Sequence, residues 1–138
     1  MIRDLMKTNC YDVGKIMVIV GSCLERMQKE AYKDLEKMSG DILEVCLETN
    51  HINMVITKII GMLSRVQVQK IIFATVDKSP HCVQMHYIEN EIAKAMDISN
   101  IEIIHYVAVD NKLIEISKDT ISRSKKLSEL EGAKKQWY

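Results

Sequence analysis

The stretch that decides the fold is "IIFATVDKSPHCVQMHYIENEIAKAMD", Ile71 to Asp97. It opens as a run, Ile71 to Val76, that is apolar except at Thr75 and suited to a strand covered on both faces. It closes as a helix, with Met85, Ile88, Ile92 and Met96 recurring along one stripe. Between them Ser79 stands where an N-cap belongs, and Pro80 sits at the first helical position, where a missing N–H costs nothing. A strand that passes straight into a helix is half of a βαβ unit, and the flanking sequence supplies the rest.

Upstream, Lys15–Val20 (KIMVIV) is a short buried-strand run that stops at Gly21. Ser22 and Glu25 fit a capping box, Leu24, Met27, Ala31, Leu35 and Met38 follow at helical spacing, and Gly40 ends the element. Ile42–Leu47 is the second strand, Asn50 an N-cap, and Ile52, Val55, Ile56, Ile59, Leu63 and Val66 the next helical stripe. The third strand is Lys70–Val76. Downstream, Ile101–Val109 is a fourth strand, and Asp110-Asn111-Lys112 turns it into a fifth, Leu113–Ile116, as an antiparallel hairpin. A last helix is predicted over Lys118–Glu131, stopped by Gly132, and Ile2–Lys7 as a helical turn packed outside.

Strand and helix in alternation imply a three-layer α/β/α domain with a mainly parallel sheet of four or five strands. A flavodoxin-like or Rossmann-like layout with an antiparallel edge strand is expected. The domain spans 1–138, with 1–14 an N-terminal extension and 133–138 a frayed tail.

Composition narrows the function classes. Nineteen basic residues balance nineteen acidic ones, so no net field recruits nucleic acid or an anionic membrane. No apolar run approaches the length of a membrane span, and a cytoplasmic protein with reduced Cys10, Cys23, Cys46 and Cys82 is expected. No CxxC pair occurs. Neither GxGxxG nor GxxxxGK[ST] is present, so the chain carries no nucleotide-binding motif.

In open α/β sheets ligands bind beyond the carboxyl ends of the strands, where the strand order reverses. Gly21-Ser22-Cys23, Glu48 to His51 and Thr75 to Cys82 lie there. If the first and third strands are neighbours, Cys23 converges with His81 and Cys82, each cysteine in the first turn of a helix whose dipole favours a thiolate. Cys82 and His86 are four residues apart, so either His81 or His86 can join the thiols at a zinc ion. Asp77 then orients a metal-bound water or a ligand histidine. Cys46, inside a strand, and His105, in the fourth strand, are expected to be packing residues, and His51 to belong to a helix start.

"VIVGSCLERM" and "GDILEV" followed by "VQKIIFATVDKSPHC" resemble, in order and separation, the layout of the β-class carbonic anhydrases over Lys15 to Tyr87. That family's C-x-D-x-R and H-x-x-C motifs supply zinc ligands and an Asp–Arg pair. Here Glu25 and Arg26 are adjacent, His81 and Cys82 have no spacer, and Thr75 stands where the family's histidine falls. The resemblance implies an α/β sheet with a site on one edge; it does not extend to hydration of carbon dioxide.

Three functions follow. The first is a metal-binding lyase or hydrolase using Cys23, Cys82, one of His81 or His86, and Asp77. The second is a non-enzymatic small-molecule-binding module, or a homodimer formed through an apolar helix. The third is a sulfur-transfer or redox protein with Cys82 as the reactive thiol.

Overall fold

A computed structural model describes residues 2–38 and 40–136, the side chains of 133–136 excepted. Six strands form one sheet: β1 (Ile2–Asp4), β2 (Ile16–Gly21), β3 (Asp41–Val45), β4 (Lys70–Val76), β5 (Glu102–Val109) and β6 (Lys112–Ile116). Their order is β1-β3-β2-β4-β5-β6. Every pairing is parallel except β5 with β6. The helices are α1 (Leu24–Met27), α2 (Lys29–Glu36), α3 (Ile52–Arg65), α4 (Ile88–Ala95), α5 (Lys118–Ser124) and α6 (Leu127–Gln136).

Alternation along the central strands builds two cores. Met17 and Ile19 of β2 with Ile71 and Phe73 of β4 face α3 and α4, meeting Val55, Ile59, Ile88 and Ile92. Val18 and Val20 with Ile72 and Ala74 face the opposite way, onto Leu24, Ala31 and Leu35 of α1 and α2. A strand covered on both faces has no polar side to show, which is why the central strands read as nearly continuous apolar runs.

Several elements depart from the sequence reading. Of the helical turn expected over Ile2–Lys7, only Leu5–Lys7 is helical, as a 3-10 turn capped by Asp4, with Leu5 fully buried; Ile2–Asp4 is an edge strand paired in register with Ile42–Glu44. The 1–14 extension thus adds a sixth strand to the sheet. Residues Cys82–Tyr87 are 3-10 helix, and only from Ile88 does the chain become α-helical. His51, not Asn50, caps α3, its Nδ1 accepting the N–H of Asn53 at 3.2 Å. The region predicted as one helix over Lys118–Glu131 is two, α5 and α6; Gly132 lies within α6 rather than ending it. Ala133–Gln136 of the expected tail continue α6, and residues 137–138 fall outside the described residues.

The helix after β2 is also split. Ser22 makes no side-chain cap, and Gln28, at φ −133° and ψ 64°, separates α1 from α2. This break receives the β5–β6 turn: Gln28 Oε1 accepts the N–H of Asn111 at 2.6 Å, and Asn111 Oδ1 accepts that of Glu30 at 3.4 Å. Asp110 and Asn111 sit at φ 51° and 61°, the left-handed pair that a two-residue hairpin turn requires. Asp and Asn tolerate that region better than other non-glycine residues, so the hairpin closes without an Asn-Gly.

Asn111→Val should therefore lower stability by about 1–2 kcal/mol, because a β-branched residue resists positive φ. Asn111→Gly should stay close to wild type. Urea unfolding of the two variants reads the difference.

Candidate functional site

β2 and β4 are neighbours, so the order reverses between them, and the predicted convergence at their carboxyl ends occurs. A crevice of about 40 Å³ there is bordered by Cys23, Cys46, His81 and Cys82, with Ser22 and Glu48. Gly21 makes room for it: a Cβ at that position would stand 3.2 Å from Cys82 Sγ. Cys46, expected as a packing residue, is only half-buried and borders the same space. Burial pushes its thiol pKa up, but the N–H groups of Thr49 and Glu48 and the hydroxyls of Thr49 and Ser22 outweigh this and hold it below the usual value. Cys10 packs instead against α3, where Gly61 leaves space for its sulfur.

The structure corrects the ligand geometry inferred for zinc. His81 is exposed rather than turned inward, and His86 is buried with both ring nitrogens already bonded. Cys82 opens a six-residue 3-10 turn and Cys23 caps a four-residue helix, neither long enough to present a useful dipole. Among the described residues, no group of three or more His, Cys, Asp or Glu stands together closely enough to hold a metal ion.

Asp77 and His86 instead belong to a larger cavity of about 480 Å³ beside the ends of β4 and β5. Val83 and Tyr87 of the 3-10 turn, Val107 of β5, and Ile116 and Ile121 supply apolar walls. Asp77 is exposed and followed by Lys78, whose φ of 67° bends the chain away from the strand. Thr75 and His86 also line the cavity and are almost fully buried.

From Thr75 a chain of hydrogen bonds runs beneath α4. Thr75 Oγ1 lies 2.8 Å from His86 Nε2, and His86 Nδ1 lies 2.9 Å from His105 Nδ1. His105 Nε2 is 2.7 Å from Glu89 Oε1, and Lys118 Nζ is 2.9 Å from Glu89 Oε2. His105 stacks on Phe73, with ring centroids 5.2 Å apart.

The carboxylate fixes the direction of every bond. An ionised Glu89 only accepts, so His105 Nε2 carries a proton; neutral His105 then accepts at Nδ1, His86 donates from Nδ1, and Thr75 donates to His86 Nε2. The charge states agree with this. Burial, with His105 alongside, holds His86 near a pKa of about 3. His105 is also lowered, mainly by burial, against the pull of Glu89. Burial raises Glu89, but its bonds to Lys118 and His105 prevail and keep it ionised.

His105, Glu89 and Thr75 were absent from the sequence-derived site. One signal pointed to each of the first two. His105 follows Ile103 on the α4-facing side of β5, and a polar ring on a core face needs a partner. Glu89 lies three residues after His86, one turn along the same face.

A doubly wound, mainly parallel α/β sheet with a cavity and a crevice at its carboxyl edge defines the class of protein. A family model described as a Rossmann-like domain matches residues 13–136, and the chain belongs to that family. No curated protein and no solved structure matches it. No helix among the described residues is long and apolar enough to cross a membrane.

The buried histidines give stability a definite pH dependence. Both are harder to protonate in the fold than in the unfolded chain, so between about pH 6.5 and the folded values the unfolded chain binds more protons. Stability should be full above about pH 6.5 and fall on acidification by up to about 1.4 kcal/mol per pH unit for each histidine. Glu89 adds a loss of the same sign once its unfolded value, about 4.3, is crossed downward. Urea titrations from about pH 7.5 to 3.5 test this, and His86→Gln should flatten the upper part of the slope.

Proposed function

We propose that this chain is a small-molecule-binding α/β protein whose ligand occupies the cavity at the ends of β4 and β5. The observation that carries the reading is the cavity itself, about 480 Å³, a volume suited to a small organic molecule. Its walls are largely apolar, and its polar groups are few. Thr75 and His86 lie along it as one hydrogen-bonded pair, with Asp77 and Lys78 at the exposed turn. This is the pattern of a site in which apolar contact supplies affinity and a few polar groups fix orientation.

The small-molecule partner expected from the sequence, to which no site was assigned there, is given this cavity. Asp77 and His86 remain in the site, with ligand-orienting roles in place of metal chemistry.

Val107→Phe extends a ring into this space from β5 and tests the proposal. Ligand-observed NMR with a library of small aromatic and aliphatic acids, alcohols and ketones should give binders for the wild type. Val107→Phe should weaken them at least tenfold while leaving the melting temperature within a few degrees. Binders unaffected by the filled cavity would count against it.

A second reading is favoured by the crevice: thiol chemistry centred on Cys46 rather than Cys82, since Cys46 borders that space half-buried, with Thr49, Glu48 and Ser22 holding its thiol below the usual value. Iodoacetamide mapping near pH 7 should label Cys46 ahead of Cys10, and Ser22→Ala should slow that labelling. Equal rates at all four thiols would remove this reading.

A further inference from the structure

We propose that Thr75, His86, His105 and Glu89 form a buried base that takes a proton from a weakly acidic ligand bound against Thr75. This rests on the cavity being a ligand site and specifies the ligand class: a small, mostly apolar molecule with an acidic O–H or S–H, or a C–H activated by a neighbouring carbonyl.

Structural stabilisation alone accounts poorly for the arrangement. A lone buried histidine is satisfied by a backbone carbonyl, whereas here two rings, a hydroxyl and a carboxylate are joined end to end. One end reaches a cavity and the other a separate cleft of about 410 Å³ that Glu89 and Lys118 line. All four members are nearly excluded from solvent. Among the described residues no buried side-chain polar atom lacks a partner, so the chain is complete before a ligand arrives.

The proton movement balances. The ligand's X–H bond breaks and its proton joins Thr75 Oγ1, while the hydroxyl proton of Thr75 passes to His86 Nε2. The Nδ1 proton of His86 passes in turn to His105 Nδ1. His105 keeps its Nε2 proton on Glu89 and becomes an imidazolium against that carboxylate. No electrons are transferred: the ligand gains one negative charge and His105 one positive charge. Thr75 touches the ligand; His86, His105 and Glu89 act through it. The groups that bias the proton's resting place are Glu89 from α4, Lys118 from the start of α5 and His86 from the 3-10 turn. Burial and Lys118 oppose the imidazolium, whereas Glu89 favours it. The chain therefore stays neutral until an anion forms in the cavity.

Two measurements test the proposal. Nitrogen-15 NMR of the histidines in the ligand-free protein near pH 7 should show neutral His86 protonated on Nδ1 and neutral His105 protonated on Nε2. The reverse tautomers, or an imidazolium at either position, would overturn the base. The second uses 4-nitrophenol, a chromogenic weak acid of suitable size, titrated by absorbance in the bound state. The bound phenol should ionise about one pH unit below free phenol in the wild type, and in Glu89→Gln the shift should vanish while binding persists. Binding without a shift in the wild type overturns the base and leaves the cavity reading standing. Absence of binding, with the tautomers as expected, instead removes the cavity reading and this ligand class with it.

Discussion

A polar ring pressed against the apolar face of a parallel sheet must find hydrogen-bond partners, and much of this structure answers that demand for His105. An imidazole buried without partners costs about 1–3 kcal/mol, a large share of a small domain's net stability. His105 meets the requirement twice, with a carboxylate on one nitrogen and a second ring on the other. Each solution creates a new demand. Glu89 is tolerable in the interior only because Lys118 reaches its second oxygen, and His86 only because Thr75, the penultimate residue of β4, offers a hydroxyl. The polar chain can stop only at the two clefts, so the site's shape and the core's composition are one problem.

The same demand explains why the approach to α4 is a 3-10 helix. With about three residues per turn, Met85 and Ile88 stay on the apolar stripe while His86 and Glu89 form a second stripe beside it. Regular α-helical spacing from Ser79 turns His81 inward and His86 outward, which is the reverse of what the structure holds. Pattern reading assumes one period per element, and here the period changes midway through the stretch that decides the fold.

The sheet was legible because its strands are buried on both faces and its helices carry clear stripes: β2, β4, α3 and the alternation between them needed no tertiary information. What escaped was set by contacts distant in sequence. Ile2–Asp4 is too short to show a period and is a strand because Ile42–Glu44 lies beside it. Gln28 breaks a helix because Asn111 arrives from 83 residues away. The site divides in the same way. That chemistry gathers at the carboxyl edge followed from topology, and Cys23, His81 and Cys82 do share a crevice there. That Cys46 joins them, and that His86 leaves to join His105 and Glu89, depends on side-chain direction. A string of residues states that only weakly.

The clasp between Gln28 and Asn111 bears on how firmly the cavity wall is held. β6 is an edge strand with a neighbour on one side only, and such strands are ordinarily the first to detach in local opening. Its far end, however, is fastened through the turn to the junction of α1 and α2, which lies over the second core. Lifting Ile116 away from the cavity thus strains a joint on the other side of the sheet. Fluctuations of the wall are tied to the integrity of that helical layer, so the cavity's outline is governed by residues that never border it.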